Sequence, residues 1–289
     1  MKMKIVSLLL LSCGMSMLLV SCDDDNDGYI APDVPEMSEV VVKEDTIISQ
    51  LVEKYPDTEY DKLLAEAATV VNYRGKSIGY LGASLVNLPE CNVAKRLVGK
   101  ALGCKVTSYG HGGYGYAAEH NLQPYARYIG NHDIYVIWGT TNDYFLDVPV
   151  GDPKDFTAED GYNSAKLNTV CGGMNYAIAE IRKSHPDALI LAYTTTKVFN
   201  LDVLDGSVRP DKHVNKVGKH FYDYVDAQLA VCKRAGIPCL NVWDWDGFRH
   251  RNWQEFYMRD GVHLQHSGYF MLGMEHLKFL IDIAQGKEG

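Results

Sequence analysis

The chain has 289 residues, of which 46 % are apolar and 22 % charged, enough for one large hydrophobic core or two small ones. Its formal net charge of −9 argues against nucleic acid as a partner, because an acidic surface repels phosphate backbones. No sequence unit recurs at a fixed period, which excludes solenoids and propellers.

The first element is a leader. MKMKIVSLLLLSCGMSMLLVSC opens with Lys2 and Lys4, continues as an apolar run and ends in small residues before Cys22. That is the pattern of a secretory signal, too short for a stable membrane span. Leu19-Val20-Ser21-Cys22 resembles a bacterial lipobox. The resemblance implies cleavage before Cys22, lipidation of that cysteine and anchoring to the outer membrane; an ordinary signal peptide is the alternative. Removing residues 1–21 takes away Lys2 and Lys4 and leaves 26 basic against 37 acidic residues, a net charge of −11. Residues 22–44 open with Asp23-Asp24-Asp25-Asn26-Asp27, lack the apolar content to pack and read as a flexible acidic tether. An acidic run after a lipidated cysteine resembles surface-export signals of Bacteroidetes lipoproteins, so cell-surface and periplasmic placements both stand. Beyond Cys13 and Cys22, five cysteines remain: Cys91, Cys104, Cys171, Cys232 and Cys239. They contain no CxxC and no zinc spacing, and read as mostly buried thiols, with a Cys232–Cys239 or Cys91–Cys104 bridge left open.

From residue 45 the chain becomes periodic. Ile48, Leu51, Val52, Leu63, Leu64 and Ala67 predict helix over residues 45–70, broken at Tyr55-Pro56. Strands are predicted over residues 76–82, 104–107, 133–138, 188–193 and 238–242. Helices are predicted over 90–103, 164–184, 214–235 and 266–284. Short apolar strands alternating with long helices predict an α/β fold, a three-layer α/β/α sandwich around a five-stranded parallel sheet. One domain, residues 45–289, accounts for the rest of the chain, the helices before residue 70 being an N-terminal extension. In such sheets ligands bind beyond the carboxyl ends of the strands, so chemically active residues belong just after strands.

Four stretches meet that test. Gly82-Ala83-Ser84-Leu85 follows the first strand and puts Ser84 where an α/β enzyme places a nucleophile, although a serine there can equally cap the next helix. Ser108-Tyr109-Gly110-His111-Gly112-Gly113-Tyr114-Gly115 follows the second, with four glycines in six residues. Its backbone can approach a ligand closely, and a glycine N–H there can donate to an oxyanion. The loop lacks the Lys-Ser/Thr ending of a phosphate-binding P-loop. Gly139-Thr140-Thr141-Asn142-Asp143 follows the third and offers an amide donor, or a plain turn residue. Asp260-Gly261-Val262-His263 follows the fifth strand and a long loop, and lets one tight turn present a base and the carboxylate that orients it. With His266 this stretch also reads D-x-x-H-x-x-H, but no second ligand cluster accompanies it. His266 is expected to open the last helix.

Together these blocks resemble the SGNH, or GDSL-type, hydrolase superfamily, with Ser, Gly, Asn and His in four blocks in this order. The resemblance covers about residues 75–285 and implies a flavodoxin-like sandwich. It implies a triad of Ser84, His263 and Asp260, and an oxyanion hole made by the Ser84 N–H, the Gly113 N–H and the Asn142 amide, with Gly112 as alternative to Gly113. It departs at Ala83, where the motif carries Asp, and at Ser108, where the second block N-x-G-x-x-G carries Asn. The implied activity is hydrolysis of acyl esters, acetyl esters of glycans in particular, with no cofactor and no metal. A lipase or phospholipase, and a glycan-binding lipoprotein that has lost catalysis, are the alternatives. Trp243, Trp245, Trp253, Phe256 and Tyr257 either form a sugar-stacking wall or fasten the long loop to the body.

Overall fold

The apolar runs at 77–82, 134–138 and 189–193 become central parallel strands because each is buried on both sheet faces, where only apolar side chains can replace water. The computed structural model of the protein describes residues 38–40, 46–56, 59–139, 141–157, 160–161, 164–198, 213–249 and 253–287. The leader, Cys22 and residues 22–37 lie outside the described residues. The strands are β1 (Ser38–Val40), β2 (Ser77–Gly82), β3 (Lys105–Gly110), β4 (Ile134–Trp138), β5 (Leu189–Tyr193) and β6 (Cys239–Leu240), in spatial order β1-β3-β2-β4-β5-β6. All pairings are parallel except that of β1 with β3.

The helices are α1 (Thr46–Lys54), α2 (Tyr60–Thr69), α3 (Ser84–Asn87), α4 (Asn92–Leu102), α5 (Gln123–Arg127), α6 (Asn142–Phe145), α7 (Val170–Ser184), α8 (Phe221–Ala235), α9 (Trp253–Tyr257) and α10 (His266–Ala284). Strand side chains alternate between two cores, as a period of two demands. Ile134, Val136 and Trp138 face the layer of α1, α2, α4 and α10, whereas Tyr135 and Ile137 face that of α5, α7 and α8. These are the three layers expected from the sequence.

Several boundaries differ, each for a local reason. Ser38–Val40, read as tether, pairs antiparallel with β3 through Ser38↔Ser108, Glu39↔Thr107 and Val40↔Val106. An open sheet edge offers unpaired backbone groups, so pairing there does not require an apolar sequence. The helix expected over residues 90–103 begins at Asn92, after Pro89 has forced Leu88 into an extended conformation (φ −64°, ψ 143°). The helix expected over 214–235 begins at Phe221, because His220 closes a capping box with Asp223 while Asn215 and Lys219 pair across the preceding turn. Strand β6 is only two residues long, since the chain turns into a 3-10 helix at Val242. Helices α5, α6 and α9 span five, four and five residues, too short for helical periodicity to show. All five described cysteines are free thiols, four of them buried. The neighbouring Cys239 thiol and burial together raise the Cys232 pKa.

Helices α4 and α10 pack against each other where Gly273 meets Ala94. A Cβ on Gly273 would lie 2.8 Å from Ala94 Cα and 3.2 Å from its Cβ, so the helices approach to a distance that only glycine permits. The Gly273→Ala variant is therefore expected to lose about 1–3 kcal/mol of stability through overpacking, read as a lower urea midpoint at unchanged slope.

Candidate active site

Strand β2 ends at Gly82, and Ser84 begins the single turn of α3. The long connection after β6 runs through α9 and returns to the same sheet edge as a tight loop. Met258 pairs with Leu264 in an antiparallel bridge, and the Arg259 N–H donates to His263 O at 2.8 Å. Inside this loop Asp260 Oδ1 accepts the N–H groups of His263 (2.7 Å) and Val262 (3.1 Å), the self-bonded turn for which Asp is favoured.

The other carboxylate oxygen reaches the ring. His263 Nδ1 lies 2.8 Å from Asp260 Oδ2, and His263 Nε2 lies 2.8 Å from Ser84 Oγ. A carboxylate only accepts, so Nδ1 carries the ring proton, and Nε2 is left to accept from the Ser84 hydroxyl. Burial pushes the Asp260 pKa up, but the His263 N–H, the His263 ring and the Val262 N–H outweigh it and hold the carboxyl at about 2. Asp260 is thus ionised at every pH at which the protein would work. Arg259 adds a brace: its Nη2 is 3.2 Å from Asp260 Oδ2 and its Nη1 is 2.9 Å from Glu90 Oε1, on the segment just past α3. His266 plays no part in this chain of bonds and opens α10, with Gln265 at the N-cap. Among the described residues no group of three or more His, Cys, Asp or Glu could hold a metal ion.

The second and third blocks are joined to each other. The Tyr114 N–H donates to His111 O at 3.3 Å, closing a turn with Gly113 at its third position. There φ is +82°, which favours glycine; Gly112 has no such angle. Directly after Gly113, Tyr114 O accepts from Asn142 Nδ2 at 2.7 Å, so the amide of α6 is held against the glycine turn. Asp143 grips the next stretch, accepting the N–H groups of Tyr116 (2.7 Å) and Ala117 (3.0 Å). It is fully buried, and burial pushes its pKa up to about 6 against the pull of four backbone N–H groups.

Residues 75–270 match the GDSL-like Lipase/Acylhydrolase family. The chain belongs to this family. No curated protein sequence matches it. Among solved structures, this GDSL-like chain resembles a protein from Lactobacillus plantarum at 19 % identity and a TM-score of 0.60, over 72 % of this chain and 97 % of that one. It also resembles a protein described as a possible lipase from Chitinophaga pinensis, at 16 % identity and a TM-score of 0.53, over 73 % of this chain and 99 % of that one. At such identities the likeness shows the fold alone.

The structure brings Ser84, His263 and Asp260 into one chain of hydrogen bonds and Gly113 beside Asn142; Cys22 lies outside the described residues. Of the two readings of the aromatic segment, Trp243 and Trp245 follow the one in which the rings fasten the long loop to the body. Trp245 is buried in the core between Phe248 and Tyr257, and Trp243 stacks on Phe221 at 5.1 Å, so these rings fasten the loop. Phe256 is exposed. The sequence does not single out Arg259, whose partner Glu90 is 169 residues away. Nor does it show Asp143 as a clamp; the only local hint was its place directly after Asn142.

The Asp143 carboxyl has a folded-state pKa above its ordinary value of 3.8, so the native state holds that proton more tightly than the unfolded chain does. Its contribution to stability is complete below about pH 4 and is lost as pH rises through about 6. Relative to Asp143→Asn, the wild type is therefore expected to lose unfolding free energy between pH 5 and pH 7, measurable by urea titration at the two pH values. A difference that does not change with pH would contradict this. Both Asp143→Asn and Asp143→Ala leave at least one N–H of residues 116–117 without its acceptor, a cost of about 1–3 kcal/mol.

Proposed function

We propose that the protein is a serine ester hydrolase that removes short acyl groups, acetyl above all, from carbohydrate. The observation that carries this reading is the unbroken relay from Ser84 Oγ through His263 to Asp260, with both links at 2.8 Å. Ser84 Oγ attacks the ester carbonyl carbon while its proton passes to His263 Nε2. Asp260, already ionised, stabilises the imidazolium. The tetrahedral oxyanion is received by the Ser84 N–H, the Gly113 N–H and the Asn142 amide. Collapse of the intermediate returns the proton from His263 to the departing sugar hydroxyl. Water, deprotonated by His263, then releases the acid and restores Ser84. Every step uses this chain's own residues and water.

Two features support a polar, hydrated substrate over a long acyl chain. The rim of the relay is ionic, with the Asp260 and Arg259 side chains 42 % and 41 % exposed and Glu90 bound to Arg259. A long acyl chain needs an apolar trough, whereas a small acetyl group on a hydroxylated carrier does not. Beside Gly113, His111 stacks on Tyr125 at 3.9 Å and Tyr114 on His120 at 5.6 Å, an aromatic cluster whose half-buried rim borders the glycine turn. Anchoring through a lipidated Cys22 would hold the enzyme at the bacterial outer membrane, facing the periplasm or the outside.

The purified protein is expected to hydrolyse p-nitrophenyl acetate, with the rate falling as the acyl chain lengthens to octanoate. Ser84→Ala is expected to lower kcat by about 1,000-fold or more. Hydrolysis unchanged in Ser84→Ala would sink the mechanism, and faster cleavage of octanoate would favour a lipase. A fluorophosphonate probe is expected to label the wild type and not Ser84→Ala; a wild type that neither labels nor hydrolyses esters would instead be a binding module on this fold. Release of acetate from a panel of acetylated glycans identifies the carrier.

A further inference from the structure

Lys95 is the most anomalous side chain near the relay. It lies on α4, is 1 % exposed, and has Val93, Ala94, Leu97 and Val98 as buried apolar neighbours along the helix. A buried ammonium is costly unless it is paired, yet among the described residues Lys95 has no carboxylate partner. Its Nζ donates instead to Val86 O at 2.7 Å and to Ser108 Oγ at 2.9 Å, and the Ser108 hydroxyl itself donates to Val86 O at 3.2 Å. Packing alone would be served by Met or Leu at this position, so the cost is incurred for the hydrogen bonds.

Their location gives the reason. Helix α3 is one turn long, and Ser84 is its first residue. Its own hydrogen bonds are few: Val86 and Asn87 donate to Ala83 O, and Leu88 donates to Ser84 O. The carbonyls at the end of a helix have no partner within it, and Val86 O is one of these. Lys95 and Ser108 supply the partners from two other elements, α4 and β3. Strand β3 continues at once into the Gly113 turn, and the His111 N–H at its end donates to Gly82 O at 2.9 Å. The Lys95–Ser108–Val86 triangle therefore joins the turn that carries Ser84 to the strand that carries the glycine loop.

We propose that Lys95 is a positioning residue for Ser84, and that the Lys95–Ser108 pair takes over a task that a single Asn at position 108 could perform. The second block of the family motif carries Asn at this position, and an Asn amide can itself give an N–H to Val86 O. Ser108 is too short to hold that carbonyl closely on its own, at 3.2 Å, and Lys95 completes the clamp from behind. Lys95 does not touch the reacting atoms; it acts through the backbone of α3. The inference rests on Ser84 being the nucleophile.

The test uses the purified protein, p-nitrophenyl acetate and a fluorophosphonate probe, assayed well below the melting temperature of each variant. Lys95→Met, which keeps the volume and removes the donors, is expected to lower kcat about 10- to 100-fold with KM changed less than about 3-fold. The rate of probe labelling is expected to fall by the same factor. Adding Ser108→Asn to Lys95→Met is expected to restore kcat to within about 3-fold of wild type, because the amide again holds Val86 O. A folded Lys95→Met variant with wild-type kcat overturns the proposal. A loss that Ser108→Asn does not recover overturns it as well, since it would assign Lys95 to packing alone. Should Lys95→Met not fold, Ser108→Ala reads the same clamp: a kcat about 3- to 10-fold lower is expected, and wild-type kcat overturns the proposal. A wild type that neither hydrolyses the ester nor labels would instead refute the hydrolase reading, which separates the two failures.

Discussion

The approach of α4 to α10 at Ala94 and Gly273 sets the geometry on which the relay depends. Helix α4 follows the Ser84 turn, and α10 follows the His263 loop. Ser84 and His263 are 179 residues apart in the sequence. Neither is held by its own loop alone: α3 is one turn long, and the 258–264 loop is a single bridged turn. A displacement of one helix against the other would be carried directly into the gap between Ser84 Oγ and His263 Nε2. The contact can be this close because position 273 has no Cβ.

Around that contact the polar groups form a second set of ties, most of them satisfying a backbone group that a short element leaves open. Lys95 and Ser108 hold the end of α3, Arg259 bridges Glu90 and Asp260, and Asn142 and Asp143 hold the glycine loop. Short helices and tight turns bury little apolar surface, so hydrogen bonds and ion pairs must fix them. Two of these ties involve costly buried charges, Lys95 and Asp143. A carboxyl held near 6 by burial, with four backbone N–H groups still aimed at it, shows burial opposing hydrogen bonding within one residue.

Much of this was legible in the sequence. Apolar runs such as Ile134–Trp138 announce strands buried on both faces, and their alternation with long helices predicts a parallel sheet. The chemical residues could be found because the fold puts them at strand ends, and Asp260 and His263 lie close enough in sequence to share one turn. Boundaries were less legible where a cap, a proline or an edge pairing decided them, as at His220, Pro89 and Ser38–Val40. The aromatic segment shows the limit of composition: Trp243 and Trp245 carry no mark in the sequence that separates a ring turned toward a ligand from one turned into the core.

The sequence by itself determined the order of layers, the family and the candidate site residues at the strand ends, because periodicity and short motifs are local properties of the chain. Only the tertiary structure decided what holds Ser84, His263 and Asp260 in place. Lys95 on α4, Ser108 on β3 and Val86 on α3 form a unit only once three separate elements have packed, as do Arg259 with Glu90 and Asp143 with residues 116–117. A lysine within a helical pattern reads as a solvated side chain until the fold shows that water has no access to it. Burial, and the partners it makes obligatory, are properties of the packed molecule.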